Sequence, residues 1–157
     1  NHHFHLVQEI AVKPLRRGLG YRVMGMWYGN PTGQRHYIYL APWVFNGPTG
    51  QLKFAFTHEV GHNWLEWLIM QIGDDWKQDR RFQATYQLRK QWLGNGWLMW
   101  WKFGIRPHAL NEDVSEFFCH MFSCLTGGNG RRKQEALEDW MSKHIKSTTV
   151  EDILGGR

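Results

Sequence analysis

Cysteine, proline, long apolar runs and blocks of like charge are all scarce in this chain, and each scarcity removes a class of protein. Only two of its 157 residues are cysteine and five are proline. Cys119 and Cys124 fall in a segment that reads as helix, where their side chains leave on different faces and do not bridge. Zinc thiolates come from loops and knuckles rather than from one helix, so the pair reads as two buried thiols. A disulfide-stapled miniature is thereby excluded. No apolar run approaches the roughly 20 residues needed to span a bilayer. The best stretch, Trp64 to Met70, is broken by Glu66, and no membrane association is expected. The net charge of +5 comes from 19 Lys and Arg against 14 Asp and Glu. It is scattered in pairs such as Arg16-Arg17 and Arg80-Arg81, so a nucleic-acid surface is not expected. Internal repeats and low-complexity linkers are also missing.

What the chain does have is apolar and aromatic material. Hydrophobic residues make up 42% and charged ones 21%, which reads as a folded globule, a single domain over residues 1–157. It opens on Asn1 rather than Met, which suggests a processed or excised chain and leaves the compartment open. His2, His3 and His5 read as an exposed, tag-like cluster. A monomer is expected.

The segment His5 to Lys13 reads as a short helix closed by Pro14. Tyr21 to Tyr28 is rich in strand formers, Gly29-Asn30-Pro31-Thr32-Gly33 is turn chemistry, and Arg35 to Leu40 alternates. Together they predict a hairpin or meander. A long helix is expected over Leu52 to Ile72, ended by Gly73, and a second over Trp76 to Trp92. Trp97 to Trp101 reads as a buried or interface-seeking patch. A third helix, Asn111 to Leu125, has Asn111 as its expected N-cap, and a last one covers Lys133 to Lys146. The fold class is α+β: a small N-terminal mixed or antiparallel sheet packed on the long helix, then a mostly helical body.

The chemistry lies in His58-Glu59-Val60-Gly61-His62. Residues i and i+4 of a helix share one face about a turn apart, so His58 and His62 can give one zinc ion a nitrogen each. Glu59 projects beside that metal, where it can take the proton of a zinc-bound water as the water attacks a carbonyl. Glycine is unfavourable inside a helix, so Gly61 implies close approach of another element. The flanking Phe54, Phe56, Trp64 and Trp67 put this helix in the core, where two histidines need partners that a metal supplies. A catalytic zinc takes a third protein ligand, and Glu112 and Glu116 offer carboxylates one turn apart on the third helix. One can bind the metal while the other accepts the outer N–H of a ligating histidine.

The run T-H-E-V-G-H with a later E-D-V-S-E-F-F resembles the gluzincin zinc peptidases, and most closely the compact kind, similar to the catalytic domain of anthrax lethal factor and the Pro-Pro endopeptidases. The resemblance implies a zinc endopeptidase acting on a peptide or protein substrate. It makes Glu112 the third ligand and Glu116 the acid behind it; the other register has Glu116 as ligand and His120 four residues on. Compact members carry an oxyanion-stabilising Tyr seven residues before the ligand glutamate. Here Ile105 stands there, and His108, or else Tyr86, is the substitute donor. The strand Tyr21 to Tyr28 resembles their edge strand above the site, which makes Met26, Trp27 and Tyr28 the substrate-binding residues. Trp64, Trp67, Trp97, Trp100 and Trp101 read as core filling around the metal helix, with a substrate cleft as the other option. Two rival functions stand beside the peptidase: a DNA-associated protease of the SprT-like kind, and an inactive zinc-stabilised binding module.

Overall fold

β-branched and aromatic residues dominate the N-terminal segments, and there the chain forms strands. The structure, a computed structural model, describes residues 7–17, 21–29, 36–79, 82–83, 86, 89–90, 96–105 and 113–144. Strands β1 (Val7–Val12), β4 (Gly25–Gly29) and β5 (His36–Leu40) form a mixed sheet in the order β1-β5-β4. β1 runs parallel to β5, and β4 antiparallel to it with Trp27 opposite Ile38. Between them β2 (Arg16–Arg17) and β3 (Tyr21–Arg22) make a two-stranded antiparallel ladder. The α+β class is as expected, but the first element is not. The segment read as a helix is β1. A helix that short is marginal alone, whereas pairing with β5 gives the backbone of Val7, Ile10 and Val12 its partners.

The alternation of β5 sets the two faces of the sheet. His36, Ile38 and Leu40 are buried, and Ile38 and Leu40 pack with Ala41, Val44 and Ala55. On the other face Tyr37 and Tyr39 stack at 6.2 Å, Tyr28 leans on Tyr39, and the Lys13 ammonium lies 3.9 Å above the Tyr39 ring.

Helix α1 (Thr49–Ile72) starts after Pro48 and stops at Gly73, whose φ of 83° is open to glycine and whose N–H closes on the Ile69 carbonyl. Ala55, Leu52, Phe56 and Val60 meet the sheet; Phe54, Leu65 and Ile69 meet a second core formed by the helical body. Apolar on opposing sides, α1 is a central helix rather than a surface one. The body consists of α2 (Gly96–Phe103), α3 (Val114–Leu125) and α4 (Arg131–His144). Every residue of α3 from Phe117 to Leu125 is buried. Its N-cap is Asp113, whose carboxylate accepts from the Ser115 N–H at 2.9 Å. Asp113 thus takes the role expected of Asn111, which lies outside the described residues. The aromatic patch is divided by α2: Met99 and Phe103 are buried while Trp101 is 74% exposed, so Trp101 does not fill the core. The helix expected over Trp76 to Trp92 begins within a 3-10 turn, Asp74–Gln78, and its described residues 82–83, 86 and 89–90 are helical, with Phe82 edge-on against Trp76. Among the described residues no helix is long and apolar enough to cross a membrane.

α1 and α3 meet at Gly61. A Cβ there would lie 3.2 Å from the Cys119 Cα and 3.2 Å from Phe122 Cδ1. The Cys119 Cα is backbone and cannot rotate aside, so any side chain at 61 would have to push the two helices a few tenths of an ångström apart. Farther along, Thr57 and Ser123 share a hydroxyl hydrogen bond of 2.5 Å that fixes the register. Replacing Gly61 by valine should overpack the crossing and cost about 1–3 kcal/mol of stability, read as a lowered denaturant midpoint. A midpoint equal to wild type would mean that the two helices are not held this closely.

Candidate metal centre

The helical spacing places His58 and His62 on one face of α1, their rings 5.0 Å apart at 79°. Because α3 crosses at Gly61, it delivers Glu116 to that face. One carboxylate oxygen stands 3.1 Å from His58 Nε2, and the other 3.2 Å from His62 Nε2. The three side chains are 12%, 20% and 33% exposed, so the cluster is sheltered and opens to solvent on the Glu116 side.

The rest of the shell is aromatic or thiol. Phe54 stacks on His58 at 6.0 Å, and the His120 ring meets His58 edge-on at 4.7 Å. Cys119, fully buried, hydrogen-bonds His62. Glu116, Cys119 and His120 thus line one side of α3, as spacings of three and four residues require. That spacing was visible in the sequence, but not that the side faces His58 and His62.

Glu59 lies under the edge of the sheet and is 5% exposed. The Trp27 backbone N–H, at the open edge of β4, donates to its carboxylate. A Cβ on Gly25 would fall 2.9 Å from Glu59 Cγ, so glycine lets the strand close over this side chain without displacing it. The Trp27 ring stacks on His62, and its indole N–H donates to Asn63 Oδ1 at 3.3 Å. Met26 and Tyr28 alternate to the other face of the sheet, where the Tyr28 hydroxyl donates to Met26 Sδ. Glu112 and His108 lie outside the described residues. Ile105 is fully buried and Tyr86 is 45% exposed.

Protonation follows from this packing. Burial lowers the His58 pKa to about 4, leaving a neutral imidazole, the form that binds metals. Its Nδ1 is buried without a hydrogen-bond partner among the described residues, so Nε2 carries its one polar contact, to Glu116. Burial also disfavours a charged His62, but Cys119 and the Glu116 carboxylate outweigh it and raise the pKa. Although burial favours a neutral Glu116, hydrogen bonds from both histidines hold it well below the usual carboxylate range. In the metal-free protein the proton between His62 and Glu116 therefore stands where a cation fits.

The donor set suits zinc. One ring nitrogen from each histidine and one Glu116 carboxylate oxygen all lie within 4.8 Å of one another. Ligands about 2.0–2.2 Å from a tetrahedral ion stand about 3.3–3.6 Å apart, so the contacts above need widen only slightly. Two imidazoles and one carboxylate leave a fourth position open, as a catalytic zinc requires. Comparison with protein-family models, with curated proteins and with solved structures gave no match, so the site is read from its own chemistry.

Burial raises the Glu59 pKa from 4.5 to about 7. A carboxyl raised on folding costs nothing below pH 4.5, where it is protonated folded or unfolded; its penalty grows to pH 7 and is then constant. At 1.36 kcal/mol per pH unit this is about 3 kcal/mol. The metal-free Glu59→Gln protein should therefore exceed the parent in stability by that order at pH 8 and match it near pH 4.5. Equal denaturant midpoints at both pH values would show that Glu59 is not buried as an acid.

Proposed function

We propose that this protein is a zinc-dependent hydrolase that cleaves peptide bonds, with His58, His62 and Glu116 holding the metal. The observation that carries the reading is the Glu116 carboxylate against both imidazoles of the HExxH helix. It favours the register in which Glu116 is the ligand and His120 follows four residues on, its ring against His58. Zinc held there would polarise a carbonyl and make water acidic enough to attack near neutral pH.

The chain's own groups supply the remainder. Glu59 accepts the proton of the attacking water and returns it to the departing amine. A pKa near neutrality suits both transfers, since the group must take a proton and give it up. The Trp27 N–H keeps one carboxylate oxygen occupied and so orients the other. His58 is already neutral but donates its Nε2–H to Glu116, so holding a metal there would require that proton to move to Nδ1. His62 would have to lose its proton, so metal uptake would release a proton and tighten as pH rises. Solvent reaches the cluster from the Glu116 side, the natural entrance for a substrate carbonyl.

The test uses the full chain with His2, His3 and His5 changed to alanine, so that the terminus binds no metal. One zinc per chain is expected, lost in Glu116→Gln and retained in Glu59→Gln. Cleavage of a mixed peptide library should fall about 10²–10⁴-fold in Glu59→Gln. Absence of zinc in the folded parent would end the metal reading. Zinc without cleavage would leave a zinc-stabilised binding module, and a Glu59→Gln protein that still cuts would remove Glu59 as the base.

A further inference from the structure

The terminal torsion of a histidine is broad and roughly two-fold, so a metal-holding imidazole needs neighbours that set its ring plane. Such neighbours are commonly hydrogen-bond acceptors for the outer N–H. At His62 the neighbour is an aromatic face. The Trp27 indole lies parallel to the His62 ring within 14° at 6.3 Å, and also stacks on buried His36 at 5.5 Å and 29°. The indole is itself fixed, since its N–H donates to Asn63 Oδ1 at 3.3 Å and Asn63 is fully buried. Trp27 of β4 thus contacts two flat rings, His36 of β5 and the His62 imidazole of α1. Within its plane, His62 is further directed by its hydrogen bond to Cys119.

We infer that Trp27 is a positioning residue for His62: its indole fixes the imidazole plane so that Nε2 points at the Glu116 carboxylate and any cation held there. The inference rests on the zinc reading above, and differs from a substrate-binding role because the side chain is taken up by His36, Asn63 and His62. The same residue holds Glu59 through its backbone, so β4 sets the geometry of both functional groups of α1 from one position.

The experiment compares the parent chain with Trp27→Phe, which keeps a flat ring, and Trp27→Leu, which does not. Zinc affinity is measured by competition with a chromophoric chelator, the visible spectrum of the cobalt(II) form reports ligand geometry, and melting of the metal-free protein reports folding. Trp27→Leu should bind zinc 10–100-fold more weakly, the range for loss of a ligand's supporting partner, with an altered cobalt spectrum. Trp27→Phe should restore the parent spectrum and most of the affinity although it lacks the hydrogen bond to Asn63. Should Trp27→Leu fail to fold, Trp27→Met, longer but equally without a flat face, takes its place. Parent-like affinity and spectrum in the folded aliphatic variant, or equal losses in Trp27→Phe, would overturn the positioning role while leaving the zinc site intact. A parent that binds neither metal would instead overturn the zinc reading, and this inference with it.

Discussion

The close crossing of α1 and α3 at Gly61 is the constraint on which the rest of the site depends. One absent side chain lets the Cys119 backbone come within van der Waals reach of α1. Glu116, one turn earlier on α3, is thereby carried between two imidazoles that are already neighbours on α1. Had the helices stood apart by the width of an ordinary residue, Glu116 would face solvent. The histidines would then be buried polar groups without a counter-charge, an arrangement that costs several kcal/mol.

The sheet contributes from the opposite side. α1 is sandwiched, and its sheet-facing side bears Glu59 while the α3-facing side meets Glu116. β4 is an edge strand, and edge strands carry backbone groups that need partners. Here one such group, the Trp27 N–H, is spent on Glu59, so the strand edge and the buried acid satisfy each other. The glycine at 25 serves the same contact. Burial at Glu59 and exposure at Glu116 make the cluster asymmetric: an acid sheltered under the sheet, and a solvent-facing carboxylate on the helical side.

Much of this was legible locally. The HExxH spacing, the alternation of β5, the stop at Gly73 and the last helix all depend on residues within a few positions of one another, where helix and strand geometry is fixed by the backbone. Less legible were features settled by distant partners. β1 reads as a helix until β5 offers it a ladder. Trp101 reads as core until the short α2 turns it outward. Asp113, not Asn111, caps α3, because helix starts are set by which side chain reaches a free N–H.

The sequence by itself determined that two imidazoles and an acid share one turn of a core helix, since a period of 3.6 residues leaves no other arrangement. It also determined that a pair of acids, Glu112 and Glu116, precedes the apolar run of α3. Only the tertiary structure decided that Glu116 reaches both imidazoles, that Cys119 and His120 accompany it, and that Trp27 stacks on His62 rather than facing outward. Those outcomes hang on how two helices and a strand edge are registered against one another. Register is set by packing between residues far apart in the chain, which no local period encodes.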